Sequence, residues 1–187
     1  MPLQWLGFIS IVAAGGLSQM LAIVSDLSGI DAFTRATITT GIIYFALHWV
    51  FNKWIWKICF FNVPDIGGTW EIIGQTLNED GSTRFDWGGT IGVEQTWKEI
   101  SINLRTEKSQ SQSYTATFSK RFGPTGGWLL SYSYKNEPEL EQYHELNSHK
   151  GYCEIEFDTD LSIGKASYFN SAGRRTFGVM NLKRKIK

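Results

Sequence analysis

The sequence predicts a chain of two parts. Residues 1–61 form a transmembrane hairpin of two helices, and residues 62–187 form an all-β domain closed as an eight-stranded antiparallel up-and-down barrel. Three observations lead there. Residues 1–25 carry no charged side chain, and residues 36–52 carry no Asp, Glu, Lys or Arg. From Gly68 onward the apolar positions alternate with polar ones, which is the period of a strand and not of a helix. Turn-forming residues then cut the remaining length into short segments, mostly at the spacing of all-β domains.

The first helix is expected over about residues 3–25, a stretch long enough to cross a bilayer, which takes about 20 residues. A cleaved signal peptide fits poorly, because no basic segment precedes the apolar run and no small-x-small site follows it. The second helix is expected over about residues 34–56. Trp49, Trp54 and Trp56 suit a membrane-interface belt, His48 belongs with them, and Lys53 and Lys57 can extend their ammonium groups toward water from one face. The connection from Asp26 to Asp31 is short and turn-like. Lysines on the barrel side of the second helix, against Arg35 and two aspartates in the hairpin loop, place the N-terminus and the barrel in the cytoplasm by the positive-inside rule. Ser10, Ala14, Ser18 and Ala22 recur every four residues along the first helix. Such a stripe lets a second helix approach closely, either the partner helix of the same chain or a helix of another copy.

Charge is unevenly spread. Residues 1–61 hold Asp26, Asp31, Arg35, Lys53 and Lys57, which leaves 15 basic (18 − 3) and 16 acidic (18 − 2) side chains for the β domain. A near-neutral domain argues against a DNA- or RNA-binding protein, which would show a basic excess. Two cysteines, Cys59 and Cys153, make no disulfide framework and fit a reducing compartment.

The strands are expected at residues 69–77, 83–93, 97–106, 113–120, 128–135, 151–158, 165–170 and 174–183, with residues 136–148 as a long polar connection. The first turn is Asn78-Glu-Asp-Gly81. Ile100, Ile102 and Leu104 share the inner face of the third strand. Tyr114, Ala116 and Phe118 share that of the fourth, Cys153, Ile155 and Phe157 that of the sixth, and Phe177 and Val179 that of the eighth. Closure into a barrel removes exposed edges, and an interior of this size either fills with side chains or holds one small ligand. Strand eight returns to the membrane side, where Lys183-Arg-Lys-Ile-Lys187 can meet anionic lipid headgroups.

No catalytic constellation is present, so the chain reads as a binding protein and not an enzyme. His144-Glu145 is followed by His149, one residue too far for two metal ligands on one helical face, and Gly123–Gly127 lacks the Gly-Lys-Ser/Thr ending of a phosphate loop. No metal site and no cofactor are expected.

Gly68-Thr-Trp70 at the first strand resembles the signature of lipocalin-like barrels, in which the tryptophan plugs the closed end and a late arginine packs on it. Trp70 is therefore expected in the core, while Arg174 and Arg175 fall on the far rim. With the helix hairpin, the Val63-Pro-Asp-Ile66 junction and eight strands, the whole chain is similar to the two-transmembrane β-barrel effectors of cyclic-oligonucleotide-based antiphage signalling (CBASS). That resemblance implies a bacterial inner-membrane protein whose barrel binds a cyclic dinucleotide. The protein then oligomerises, and its helices disrupt the membrane and kill the infected cell. A cyclic dinucleotide brings two phosphates and two flat bases, for which arginines and aromatic faces are suited. By strand phase the candidate ligand contacts are Arg175, Trp87, Tyr114, Tyr132, Tyr134 and Asn170, with Arg84 and Arg174 nearby in the outward phase. The alternative is a membrane-tethered carrier or sensor of an apolar ligand; a third possibility is a structural protein with a filled barrel.

Overall fold

The computed structural model describes residues 12, 15, 16, 32–58, 63–121, 126–138, 148–171 and 175–185. The chain divides into two compact units, Met1–Asp65 with Thr96–Lys98, and Ile66–Gln95 with Glu99–Lys187.

In the first unit, helix α1 spans Ala32–Lys53. Its 22 residues extend about 33 Å, enough for the ~30 Å hydrocarbon layer. Thr37, Thr39, Thr40, His48 and Asn52 dilute its apolar character, and no helix among the described residues is long and apolar enough to cross a membrane. Lys53 in the last turn complements the negative end of the helix dipole, and its Nζ lies 5.1 Å from the centre of the Trp49 ring. The helix ends earlier than the expected residue 56 because Trp54 leaves helical geometry (φ −129°) and a 3₁₀ turn, Ile55–Lys57, follows. The same unit takes in Thr96–Lys98: Asn52 accepts hydrogen bonds from the Trp97 and Lys98 amides at 3.0 and 3.1 Å, and the Phe51 and Trp97 rings meet edge to face. Val12, Gly15 and Gly16 are helical. The rest of the expected first helix, including Ser10, Ala14, Ser18 and Ala22, and the hairpin loop lie outside the described residues.

The second unit is a closed barrel of eight antiparallel strands in sequence order. They are β1 (Gly68–Leu77), β2 (Thr83–Gln95), β3 (Ile100–Thr106), β4 (Ser109–Lys120), β5 (Trp128–Pro138), β6 (His149–Phe157), β7 (Ile163–Asn170) and β8 (Phe177–Arg184). β8 closes the ring on β1, with Trp70 opposite Arg184 and Leu77 opposite Phe177. The end where β1 begins is called the near end here, and the opposite one the far end. The β1–β2 turn forms as expected: Gly81 takes a positive φ (84°), and Asp80 accepts from the Ser82 amide and hydroxyl, which holds its carboxyl below the usual aspartate range.

Two expected faces differ in the structure, one by a slip along the strand and one by a single bulged residue. β8 buries Gly178, Met180 and Leu182, and leaves Phe177 and Val179 exposed. A strand has two faces related by a single-residue slip, and what chooses between them here is the partner strand: Met180 and Leu182 stand opposite Gly74 and Ile72 of β1. Arg175, in phase with Phe177, is consequently exposed and does not point inward. In β4 a bulge between Ser113 and Thr115 breaks the ladder with β5. The extra residue is Tyr114, which turns outward and is 57% exposed, while Ala116 and Phe118 pack on the core as expected. Bulges act this way, re-aiming one side chain while the ladder resumes beyond. β3 and β4 themselves share only the pairs Asn103–Gln112, Leu104–Ser111 and Arg105–Gln110, supplemented by the Ile102 amide donating to Ser113 Oγ at 2.9 Å.

The near half of the interior is filled by aliphatic side chains, among them Ile91, Ile102, Leu130, Ile155 and Leu182, all buried. Trp70 plugs it. Its indole N–H donates to the Ile66 carbonyl at 3.0 Å, its ring lies 5.0 Å from that of Phe157, and Arg184 stacks over it at 5.5 Å. Arg184 also donates to the Gly67 carbonyl at 2.7 Å. The late arginine of a lipocalin-like closed end is thus present as Arg184, inside the basic run that sequence reading assigned to a lipid-facing tail.

Candidate functional site

The far half of the interior is built differently. Three large rings face inward there, and each stands opposite a glycine in the strand register: Trp87 opposite Gly74, Tyr134 opposite Gly151, and Tyr168 opposite Gly178. A Cβ placed on those glycines would come within 2.3 Å of the Trp87 ring, 2.4 Å of Tyr134 and 2.8 Å of the Tyr168 hydroxyl. The missing side chains allow each ring to lie along the wall, over the glycine, instead of projecting across the barrel. The result is an open chamber lined by these rings, Tyr132, Ile72 and Met180; it forms part of a 1250 Å³ pocket that also runs over outward-facing residues such as Glu71, Ile73 and Asp86. Pockets for drug-sized molecules run to about 1,000 Å³, so a ligand with two nucleobases is within its scale.

Polar groups of the cavity are tied into three networks. Tyr134 donates to Asn170 Oδ1 at 2.8 Å, and Asn170 Nδ2 donates to Thr176 Oγ1 at 2.8 Å, which links β5, β7 and the approach to β8. The Tyr168 hydroxyl accepts from the Trp87 indole at 3.3 Å and is hydrogen-bonded to the Thr76 hydroxyl at 2.9 Å. On the other side, Asn136 Nδ2 donates to Ser109 Oγ at 3.1 Å, and Ser109 is paired in turn with Thr106 Oγ1. His149, buried, stands opposite Asn136 in the β5–β6 register. Below them Tyr132 is paired with Cys153. Burial pushes the Cys153 thiol from 9.0 up to about 12 and raises the Tyr132 phenol well above its usual range. Cys153 is thus a neutral core side chain and not a reactive thiolate.

Trp87, Tyr132, Tyr134 and Asn170 line the cavity together, as the strand phases suggested. Tyr114 and Arg175 do not, for the reasons of bulge and phase given above. Tyr168, Asn136, His149, Thr76, Ser109 and Thr176 line it and were missed. Tyr168 was legible in the alternation Gly164, Ala166, Tyr168 along β7. Asn136 and His149 were lost because β5 and β6 each extend past the expected strand ends into what read as a polar connection. Among the described residues the cationic side chains at the border are Lys108 and Arg105, both exposed, Arg105 in the outward phase of β3 between Leu104 and Thr106. Among the described residues no cluster of His, Cys, Asp and Glu could hold a metal ion.

An anchored barrel with an open, ring-lined chamber at one end defines a receptor for a flat polar ligand, and comparison with known proteins agrees. Residues 61–184 match the family model of the Cap15 cyclic dinucleotide receptor domain, and residues 3–57 match that of the Cap15 transmembrane helices. The chain belongs to the Cap15 family of CBASS effectors, and its N-terminal helices place it in a membrane. It is 36% identical over 185 residues to CD-NTase-associated protein 15 of Yersinia aleksiciae, an alignment covering 97% of this chain and 86% of that protein. The β-barrel is therefore the cyclic dinucleotide receptor domain, and the two matched regions are a receptor domain and transmembrane helices. The polar positions within α1 are compatible with a membrane helix that packs against other helices, where such side chains find partners.

Proposed function

We propose that the cyclic dinucleotide enters the far half of the barrel, and that its arrival drives self-association of the chain and disruption of the membrane by the N-terminal helices, ending the infected cell. The observation that carries the binding part is the set of three rings laid over three glycines: it keeps an interior open that side chains would otherwise fill, and it presents aromatic faces to bases. Trp87, Tyr132, Tyr134 and Asn170 contact the ligand, with Tyr168 completing the wall. Lys108, at the far-end turn between β3 and β4, meets the phosphate charge at the border. Basic Lys53 and Lys57 beside the second helix keep the barrel on the cytoplasmic side, where a second messenger would be made, and the Ser10/Ala14/Ser18/Ala22 stripe supplies the close helix contact of the assembled state.

Calorimetric titration of the full-length protein in detergent with a panel of cyclic dinucleotides tests the first step. Saturable binding of at least one member is expected, weakened by Trp87→Ala; no binding by any member would remove the ligand assignment. Dye release from vesicles of anionic lipid carrying the protein tests the second step. Release should follow addition of the bound nucleotide, and be lost in an Ala14→Leu/Ser18→Leu double variant. Intact vesicles in the presence of saturating ligand would leave a receptor without a membrane activity.

A further inference from the structure

The outer surface of the far end carries large apolar side chains in the open. Phe169 is 53% exposed and Phe177 41%, with Ile73 at 69% and Val179 at 36%. They are not scattered. In the strand register Leu77 stands opposite Phe177, Phe177 opposite Phe169, and Phe169 opposite Tyr152, which makes one cross-strand row over β1, β8, β7 and β6. The Tyr152 and Phe169 rings lie 5.6 Å apart. Side chains directly opposite on one face touch, and diagonal ones are within reach when they are large. Val179, diagonal to Phe169, and Ile73, diagonal to Val179, thus extend the row down the wall. The cause is strand phase: the alternation that places Tyr168 and Gly178 in the chamber puts Phe169, Phe177 and Val179 outside. Contiguous exposed apolar surface marks an interaction site, where apolar residues scattered singly would not.

Resting on the reading that the chain self-associates once the nucleotide is bound, we propose that this row is the surface through which two barrels meet, the partner being a second copy of the chain. A twofold contact sets a face against itself, so a surface suited to it must not bring like charges together. This one does not. The row is uncharged, and so are Gln75, Val179 and Ser167, the outward residues next below it. Charge at its border is engaged: Glu154 accepts from the Tyr152 hydroxyl at 2.7 Å, and the Lys150 ammonium sits over the Tyr114 ring, which belongs to β4. The chain's formal net charge is zero, so copies do not repel one another at long range. Size agrees as well. With about 200 Å² for a fully exposed side chain of this class, Phe169, Phe177, Ile73 and Val179 offer on the order of 400 Å² of apolar surface. That is about half of the ~800 Å² per partner in a standard interface, and such interfaces are a little over half apolar. The row is also the back of the ligand's wall. Phe169 lies between Tyr168 and Asn170, and Phe177 follows Thr176, all three of which line the chamber. A ligand that orders those residues orders the row, and an ordered surface has less entropy to lose on association.

The test uses the full-length protein in detergent, followed by analytical ultracentrifugation with and without the cyclic dinucleotide it binds best, and cross-linking of the same protein in membranes. Wild type should pass from monomer to dimer or larger on adding the nucleotide. A Phe169→Glu/Phe177→Glu variant should bind the nucleotide within about twofold of wild type, because both side chains point away from the chamber, yet should need at least about tenfold more protein to associate. For cross-linking, Cys59→Ser leaves only the buried Cys153, and Ser167→Cys in that background is treated with a short bis-maleimide. A product of twice the chain's mass is expected with nucleotide, and little from Gln112→Cys, exposed on the outer face of β4. If wild type binds no cyclic dinucleotide, or binds one and stays monomeric, the reading beneath fails and this one with it. If wild type associates and the double glutamate variant does so equally, copies meet elsewhere and only the role of the row is overturned. Cross-linking from Gln112→Cys as strong as from Ser167→Cys overturns it too. So does a Ser167→Cys adduct of another mass in place of the dimer, which would give the face to a different protein. The Ser167→Cys comparison holds even if the glutamate variant does not fold.

Discussion

The two halves of the barrel interior share one set of strands and differ in what stands opposite what. In the near half, aliphatic side chains face one another: Ile91 is paired with Leu104, Leu130 with Ile155, and Ile72 with Leu182, and the space is full. In the far half, the largest side chains are paired with glycines, and the space stays open. Large rings therefore do not by themselves imply a filled core. At the far end ring against glycine leaves the space open, because the ring can lie down over the wall; at the near end the pair Phe157 and Gly164 is filled in by the Trp70 plug. The near half is where burial stabilises the fold, and the far half is where surface remains for a ligand.

Substitutions that exchange these properties should separate stability from binding. The largest effect is expected at the plug. Trp70→Ala removes a fully buried indole, its bond to Ile66 and its stack with Arg184, and should cost about 3–5 kcal/mol of stability, read as a lowered thermal unfolding midpoint of the full-length protein in detergent. The opposite pattern is expected at Gly151. The three nearest atoms that a methyl there would meet all belong to the far end of the Tyr134 side chain, so Gly151→Ala should tip the ring into the chamber and break its bond to Asn170. Cyclic dinucleotide affinity should fall on the order of tenfold or more, while the unfolding midpoint moves less than for Trp70→Ala. Gly178 is unsuited to this comparison, because a Cβ there would also strike the Gln75 carbonyl at 2.0 Å. If Gly151→Ala bound as wild type does, the glycine–ring pairs would be a packing device without a bearing on the ligand.

A third prediction concerns the boundary between the halves, where Tyr132 meets Cys153. The thiol has its folded pKa raised from 9.0 to about 12, so the folded state holds the proton more tightly than the unfolded chain. The sign follows: the associated stability is fully present below pH 9, and is lost as pH rises from about 9 toward 12, at ~1.4 kcal/mol per unit. Tyr132, also raised, adds a loss that begins above its ordinary value of 10.0. Cys153→Ala should flatten the decline between pH 9 and 10, before the phenol contributes; an unchanged slope in that interval would mean the thiol is not the titrating group.

The contrast between the halves also marks what the sequence could convey. Helix and strand periods, the turn at Gly81, the plug Trp70 and the inward faces of β3 and β6 were all legible, because each is a local pattern with a local cause. Glycine–ring pairing was not, since it depends on register: nothing within β1 announces that Gly74 will face Trp87. The same dependence misled the reading of β8, where Phe177 and Val179 are more apolar than Gly178, yet the register with β1 and the space needed by Tyr168 put the glycine inside. At β4 the alternation Tyr114, Ala116, Phe118 looks unbroken, and a bulge is invisible in it. Arg184 was hidden for another reason: a cation in a basic run reads as solvated unless its aromatic partner across the barrel seam is known.

The smallest effects are expected where sequence and structure part. Arg175 and Tyr114 were candidates for phosphate and base, and both face outward, Tyr114 beneath the Lys150 ammonium at 5.9 Å. Exposed side chains with no buried partner typically change an energy by less than about 0.5 kcal/mol when truncated, which is roughly a twofold change in affinity. Tyr114→Ala and Arg175→Ala should therefore bind the cyclic dinucleotide within about twofold of wild type, with Trp87→Ala as the contrasting loss in the same titration. Arg175 retains one route of influence, since a cation anywhere on the far rim attracts an anion through solvent. That contribution is screened beyond roughly 10 Å at 0.1 M salt, so the Arg175→Ala deficit should appear in the association rate at low ionic strength and vanish as salt is raised. A large, salt-independent loss on removing either side chain would mean that the bound barrel rotates these residues inward, and that its outer and inner faces are less distinct than the register makes them.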